Sequence, residues 1–357
     1  MSSLFTPLCT LLQTRLPIIQ APMAGGPTTP ELVAAVSNAG ALGSLGAGYM
    51  TPQAIQESIR AIKRYTNQPF AVNLFIPSQA SEAIPDVAPM KQFLLQMSPR
   101  HETQGDAASI PAFEDQLAVV IAERVPVFSF TFGQLKPEMV LELQSRGTTV
   151  VGTATTVEEA VALATSGVDA IVAQGYEAGG HRGTFLCHVE AALIGTMALI
   201  PQIVNQLRIP VIASGGIMDG RGIAASLMLG AAGVQLGTSF LVTEESGAHP
   251  VYKQAVLESG ASDTVLTSGF SGKAARAIRN RFTDEIREFP GEIPPYPTQN
   301  TLTRPLRNWA AEQGDPDYLS LFAGQGAAMG RALPAAELVH QLVEETKASL
   351  NRACRLL

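Results

Sequence analysis

Eight short apolar segments recur along the chain and alternate with segments of helical periodicity, a pattern that few folds accommodate. The segments are nearly continuous in apolar residues, as in parallel strands that are buried on both faces. Eight strand–helix units predict an α/β fold, the (β/α)8 or TIM barrel, and a doubly wound open sheet is the alternative. The predicted strands are residues 16–20, 41–45, 70–75, 125–130, 148–152, 168–172, 209–213 and 233–236.

Two segments are too long to be the loops of a plain barrel. Residues 76–124 follow the third predicted strand, and residues 246–324 follow the eighth. Both leave the barrel on the face where catalytic loops lie, and long insertions there often cover an active site. We therefore predict inserted lid segments after strands three and eight. Residues 1–245 and 325–357 would form the barrel, 246–324 a lid or substrate-binding segment, and 76–124 an extra lid insertion.

Charge and cysteine content limit the partners and the compartment. The net charge of −7 disfavours nucleic acid and anionic membrane surfaces as partners. The chain has no apolar run of about twenty residues, so no membrane span is predicted. Cys9, Cys187 and Cys354 lie far apart, which predicts neither a disulfide framework nor a metal site. The N-terminus does not resemble a secretory signal. We expect a cytoplasmic protein.

Two glycine-containing loops follow the last two predicted strands. Ser214, Gly215 and Gly216 come after strand seven, and Gly237 and Thr238 come after strand eight. In barrels of this class these two loops often bind a phosphate group. Adjacent glycines let backbone N–H groups point at an anion, and a hydroxyl adds a further donor. The sequence therefore predicts a phosphate site, although no dinucleotide-binding glycine pattern is present.

Further polar groups are expected at the same rim of the barrel. The backbone of Pro22 and Met23 follows strand one and could meet the edge of a ring. Three amide side chains are expected nearby: Asn73 near the end of strand three, Gln174 after strand six and Gln235 in strand eight. Amide side chains carry both donors and acceptors, which suits a flat heterocycle with ring nitrogens and carbonyls. Their convergence favours a planar cofactor such as a flavin.

One histidine lies among glycines just beyond strand six. His181 follows Gly179 and Gly180 and precedes Arg182. Histidine exchanges a proton near neutral pH, and glycine-rich backbone allows a close approach of a ligand. We predict that His181 is catalytic. Arg182 would attract an anionic substrate or pair with Glu177.

These segments resemble the nitronate monooxygenases, formerly called 2-nitropropane dioxygenases, and in particular their class I branch. The resemblance spans nearly the whole chain. It is carried by residues 20–26, 38–50, 174–183, 213–217, 235–238, 296–300 and 323–326.

The resemblance implies a (β/α)8 barrel with non-covalently bound FMN, which oxidises alkyl nitronates with O2 to a carbonyl compound and nitrite. It implies that His181 is the catalytic residue and that propionate 3-nitronate is a plausible substrate. FMN would contact Pro22, Met23, Asn73, Gln174, Gly179, Gly216, Gln235, Gly237 and Thr238. Gly180, Ser214 and Gly215 complete the predicted cofactor site.

The sequence departs from the family pattern at two places in the second insertion. Residues 271–276 contain Lys273-Ala274 where Arg-Pro is more usual, and Phe322 stands where tryptophan is common. Two other functions remain open: an FMN-dependent NAD(P)H reductase acting on quinones or enoyl thioesters, and a non-catalytic phosphate- or flavin-binding module. The expected partners are a small anionic nitronate and O2, and we expect a monomer or homodimer without bound metal.

Overall fold

The computed structural model describes residues 4–77, 86–97 and 111–356. It confirms the predicted barrel of eight parallel strands, which we label β1 to β8. The strands are Ile18–Gln20, Gly43–Gly46, Phe70–Phe75, Val127–Thr131, Thr149–Ala154, Ala170–Gln174, Val211–Ser214 and Gly233–Leu236. Several begin slightly later than predicted. Pro17, Pro126 and Pro210 directly precede β1, β4 and β7, and a proline has no N–H to donate to a neighbouring strand.

The eight strands form a closed ring rather than an open sheet. Their order is β1-β8-β7-β6-β5-β4-β3-β2, and each neighbouring pair is parallel. A parallel bridge between Ile19 and Leu42 joins the two ends of this order. The Leu42 amide donates to the Ile18 carbonyl, and the Gln20 amide donates to the Leu42 carbonyl, both at 2.9 Å. This closure excludes the doubly wound open sheet.

Helices follow the strands and cover the barrel wall. Threonine caps with proline at the first helical turn define two of the helix starts, since Thr29 accepts from the Leu32 amide and Thr51 from the Ala54 amide. The α-helices are Pro7–Leu12, Pro30–Asn38, Pro52–Tyr65, Ala88–Met97, Phe113–Ala122, Pro137–Ser145, Val157–Thr165, Thr196–Gln206, Gly220–Met228, Thr238–Leu241, Pro250–Glu258, Arg281–Arg287, Thr298–Gln313 and Ala335–Cys354. Short 3-10 helices span Val189–Ala192, Pro316–Tyr318 and Ala327–Met329. None of the helices within the described ranges is long and apolar enough to cross a membrane.

The first helix closes one end of the barrel. Leu8 and Leu12 are buried against strand side chains that include Ile19, Val127 and Val151. The opposite end, where the strands finish, is left for the loops and the two insertions.

The two insertions share one apolar core. Met90 and Leu94 of the first insertion belong to the same buried cluster as Phe270, Phe282 and Leu306 of the second. Insertions after β3 and β8 are thus confirmed, although residues 78–85 and 98–110 lie outside the described part of the first one. The division into a barrel and a functional lid stays a prediction.

A small antiparallel sheet lies outside the barrel and was not predicted. Its strands are Gly180–His181, Thr264–Thr267 and Ala275–Ile278. His181 pairs with Ala275, so the second insertion holds the backbone of the loop after β6. A strand of two residues has no periodicity from which sequence analysis could detect it.

The last helix, Ala335–Cys354, packs against Gly220–Met228, the helix after β7. A carboxylate oxygen of Glu345 accepts a hydrogen bond from the Gly220 amide at 3.0 Å. Arg331 donates to Glu345 at 2.6 Å and to the Met218 carbonyl at 3.3 Å. The end of the chain is therefore tied to the turn that follows β7.

Candidate active site

A cavity of about 660 Å³ opens at the carboxyl ends of the strands, between the barrel and the insertions. It brings together all of the residues predicted for the cofactor and for catalysis. These are Pro22, Met23, Asn73, Gln174, Gly179, Gly180, His181, Ser214, Gly215, Gly216, Gln235, Gly237 and Thr238.

The glycine pair after β7 adopts backbone conformations that favour glycine. Gly215 has φ of +117° and Gly216 has φ of +70°. A Cβ on Gly216 would lie 3.1 Å from the Cβ of Glu177, and one on Gly179 would lie 2.5 Å from the amide nitrogen of Gly324. A side chain larger than hydrogen at Gly216 or Gly179 would therefore press against a neighbouring loop.

We call Gly215, Gly216, Gly237 and Thr238 the cradle, and Glu177 supports its Gly215 side through Thr196. Its carboxylate accepts from the Thr196 amide at 2.9 Å and from the Thr196 hydroxyl at 2.8 Å. The same hydroxyl also contacts the Gly215 carbonyl at 3.0 Å. Thr238, on the opposite loop, accepts from the Gly324 amide at 3.0 Å, so its own O–H remains able to donate.

The amide side chains at the rim have different partners. Asn73 donates to the Ser129 hydroxyl at 3.0 Å. Gln174 donates to the His181 carbonyl at 3.0 Å, and its oxygen accepts from Arg182 at 3.0 Å and from the Gly183 amide at 2.9 Å. Gln174 thus lines the cavity and also fixes the loop that carries the histidine.

His181 lies between the barrel and the second insertion. Its Nε2 is 2.7 Å from the hydroxyl oxygen of Ser271. The rings of Phe132, Tyr296 and Phe322 surround it, with centroid distances of 5.8, 6.4 and 5.2 Å. Burial, together with the positive charges of nearby Lys273 and Arg307, lowers the pKa of His181 to about 3. The imidazole is therefore neutral at physiological pH.

Arg182 is not placed to attract a substrate, and the charge of Glu177 acts on it without a direct salt bridge between the two described side chains. It is 1% exposed and does not line the cavity. Its guanidinium donates to the carbonyls of Gln174, Gly175 and Ala192 at 2.6 to 3.1 Å. Burial lowers its pKa to about 10, so it stays charged. Arg182 cross-links the histidine loop, while Glu177 binds Thr196.

Two arginines of the cavity wall were not predicted from the sequence. Arg304 and Arg307 lie one helical turn apart in Thr298–Gln313 and both line the cavity. Arg307 donates to the carbonyl and side-chain oxygens of Asn300 at 2.9 Å, and burial lowers its pKa to about 10. Within the described ranges, no aspartate or glutamate lines this cavity. The wall is therefore suited to anions.

An aromatic wall beside His181 was also missed. Phe75, Phe132 and Phe322 line the cavity. Phe132 has φ of +78°, a strained conformation for a bulky residue of the kind that clusters at functional sites. The ammonium of Lys273 lies 4.6 Å from the centroid of this ring. The two departures from the family pattern, Lys273 and Phe322, are thus both next to the histidine.

The residues present fit a flat, phosphate-bearing cofactor. The backbone cradle offers N–H donors, the rim offers amides, and the volume is within the usual range for ligand sites. Fold and site define a (β/α)8-barrel protein whose last two strand loops present glycine backbone and a threonine hydroxyl to a cavity that a histidine also lines. In the described ranges, no group of three or more His, Cys, Asp or Glu side chains is placed to bind a metal ion.

Comparison with known proteins agrees with this class. The sequence model of the nitronate monooxygenase family matches residues 6–345. A probable nitronate monooxygenase of Staphylococcus haemolyticus is 47% identical over 95% of this chain and 96% of that relative. The crystal structure of nitroalkane oxidase from Streptomyces ansochromogenes superposes with a TM-score of 0.87 at 40% identity, covering 97% of this chain and 99% of the other. FabK from Thermotoga maritima gives 0.79 at 30% identity, covering 99% of both chains.

The chain belongs to the nitronate monooxygenase family, whose members are flavin-dependent oxidoreductases. The resemblance drawn from the motifs is therefore confirmed, as is the prediction that the protein is an enzyme.

Proposed function

We propose that the protein is an FMN-dependent nitronate monooxygenase that oxidises alkyl nitronates with O2 to a carbonyl compound and nitrite. The proposal rests on the composition of one cavity, which is lined by both the cradle and a neutral histidine. Among the described residues, its wall contains two arginines and no carboxylate. A phosphate-bearing cofactor and an anionic substrate would both be favoured there.

The cradle residues Gly215, Gly216, Gly237 and Thr238 would bind the FMN phosphate through backbone N–H groups and a hydroxyl. The isoalloxazine ring would then meet the backbone of Pro22 and Met23 and the amides of Asn73, Gln174 and Gln235. When bound, FMN supplies the electron transfer between substrate and O2. The protein's own part is to bind, to orient and to exclude water.

His181 would act on the substrate in one of two ways. It would donate a hydrogen bond to the anionic nitronate, or it would accept a proton from a neutral nitroalkane. An anion held next to the imidazole favours its protonated form. Proton transfer from a nitroalkane to His181 would therefore be assisted by the nitronate that it creates.

The two arginines favour a substrate with a second negative charge. Arg304 and Arg307 would bind a carboxylate in the cavity, as propionate 3-nitronate would present. Simple alkyl nitronates lack this group and would depend on the histidine side of the cavity alone.

Oxygen consumption tests the function directly. The FMN-loaded protein is mixed with propionate 3-nitronate, with alkyl nitronates and with the parent nitroalkanes, and nitrite is measured in parallel. We expect oxygen uptake with matching nitrite for the nitronates. Rapid anaerobic bleaching of the flavin by NADH, without nitrite formation in the first assay, would instead support the reductase. A colourless protein that does not take up FMN would support the non-catalytic binding module.

A further inference from the structure

The imidazole of His181 contacts the hydroxyl of Ser271, and the charges of Lys273 and Arg307 also act on it. The hydroxyl oxygen of Ser271 lies 2.7 Å from Nε2, and Ser271 is 1% exposed. The remaining ring contacts are aromatic, from Phe132, Tyr296 and Phe322. Nδ1 is the ring nitrogen that does not contact Ser271, and His181 lines the cavity.

The backbone of Lys273 determines which way the serine proton points. The Lys273 carbonyl lies 3.2 Å from the Ser271 hydroxyl oxygen, and the Lys273 amide donates to that oxygen at 3.3 Å. A serine hydroxyl has a single proton to donate. If this proton goes to the Lys273 carbonyl, the hydroxyl oxygen can also accept from Nε2–H of the histidine.

This arrangement satisfies more groups than the reverse one. With the serine proton on the Lys273 carbonyl, the carbonyl, the hydroxyl and the imidazole N–H all have partners. With the serine proton on Nε2, the carbonyl loses this donor and an N–H is placed at Nδ1. Buried polar groups without partners are costly, so the first arrangement is favoured.

We propose that Ser271 is a positioning residue that holds the neutral His181 in the tautomer protonated at Nε2, so that the unprotonated Nδ1 faces the substrate as the proton acceptor. This inference rests on the proposed function for its catalytic meaning, but the tautomer is a property of the protein alone.

The step assigned to Nδ1 is a simple proton transfer. The C–H bond next to the nitro group of a neutral nitroalkane breaks, and an N–H bond forms at Nδ1. The electron pair stays on the substrate, which becomes the nitronate, and His181 becomes an imidazolium whose new N–H can donate to it. No oxidant or reductant enters this step. A preformed nitronate does not need it, so its oxidation depends less on the tautomer.

The tautomer is measured by nitrogen NMR on the FMN-loaded protein labelled with ¹⁵N at histidine, at pH 7. The His181→Asn variant assigns the resonances by their loss. We expect a protonated Nε2 and an unprotonated Nδ1 in the wild type. In Ser271→Ala we expect the Nδ1-protonated form to gain population. Ser268→Ala is the matched control, because Ser268 lies in the same loop and its side chain has no contact with His181 among the described residues.

Kinetics provide the second measurement. In Ser271→Ala, kcat with a nitroalkane should fall at least about tenfold, while kcat with the matching nitronate changes much less, because only the former needs a general base. Ser271→Thr keeps a hydroxyl and should restore the wild-type tautomer.

Two results would overturn the inference: a wild-type His181 protonated at Nδ1, or an unchanged tautomer in Ser271→Ala. A protein that oxidises no nitronate would contradict the proposed function and leave the NMR result as the test of Ser271.

Discussion

Gln174 holds the backbone of His181 in place, since its Nε2 donates to the His181 carbonyl at 3.0 Å. The same side chain accepts from Gly183, so it spans the loop on both sides of Arg182. A residue predicted from sequence as a cofactor contact is therefore also a support for the predicted catalytic residue.

Replacing Gln174 with alanine should destabilise the protein as well as reduce activity. The change removes the acceptor of the Gly183 amide, whereas Arg182 keeps the Gly175 carbonyl as an acceptor. A buried donor left without a partner costs about 1–3 kcal/mol. We expect the free energy of unfolding in urea to fall by about 2 kcal/mol. Gln134→Ala is the control, because Gln134 is exposed and donates to a single helix carbonyl. Equal stability of the two variants would contradict this role.

Gly216→Ala should weaken FMN binding. The new Cβ would lie 3.1 Å from Glu177, in a backbone conformation with φ of +70°. Gly147→Ala is a matched control, because Gly147 has φ of +81° with no atom within 4 Å of the added Cβ. Both variants should lose about 1–2 kcal/mol of stability through backbone strain. Flavin fluorescence titration should show weaker FMN binding only in Gly216→Ala, and an identical affinity in both variants would argue against the cradle.

His181→Asn should separate the two classes of substrate. Asparagine can donate a hydrogen bond to a nitronate but is not a base at neutral pH. We expect turnover of neutral nitroalkanes to be abolished, with a loss on the order of 10²-fold or more, and turnover of nitronates to be spared more. Oxygen consumption with each nitroalkane and its pre-ionised nitronate provides the measurement. If both rates match those of the wild type, His181 is not catalytic.

The lowered pKa of His181 predicts an acid-dependent loss of stability. The folded protein binds the proton with a pKa of about 3, whereas the reference value is 6.5. Above pH 6.5 both states are neutral at this site and the contribution to stability is fully present. As the pH falls toward 3, the unfolded chain takes up the proton first and the folded state loses stability.

His181→Asn removes this linkage. When the pH falls from 7.5 to 5, the wild type should lose about 2 kcal/mol of unfolding free energy that the variant does not lose. Each unit of pKa difference corresponds to about 1.4 kcal/mol. Urea unfolding at the two pH values measures the loss. A constant difference between variant and wild type across this range would show that the histidine pKa is not lowered by folding.

Arg304→Gln and Arg307→Gln should change substrate preference. Each removes a positive charge from the cavity wall. We expect KM for propionate 3-nitronate to rise at least about tenfold, because a charge-assisted hydrogen bond of about 1.5–3 kcal/mol is lost. KM for an alkyl nitronate without a carboxylate should change little. Arg208→Gln, an exposed change of equal charge, is the control. A parallel rise for both nitronates would contradict a carboxylate site.

The barrel and its cradle could be predicted because their signals are local. Gly215 and Gly216 follow an apolar strand directly, and the strand alone fixes where they lie. The start of each helix is likewise encoded in a few neighbouring residues, as Thr29 and Thr51 show. Features that depend only on neighbouring residues, such as helix caps and glycine turns, can be predicted from a single sequence.

The surroundings of His181 could not be predicted, because they come from distant parts of the chain. Ser271 is 90 positions away from the histidine that it contacts. Arg304 and Arg307 sit in a polar helix whose pattern does not reveal which face meets the cavity. Arg182 looked like a substrate-binding cation because it is next to His181, yet it is buried and its guanidinium donates to backbone carbonyls that lie up to ten positions away.

The bond between Glu345 and the Gly220 amide spans 125 positions. During synthesis, the turn after β7 leaves the ribosome long before the helix that fastens it. The turn after β7 therefore gains this hydrogen bond only once residue 345 has been synthesised.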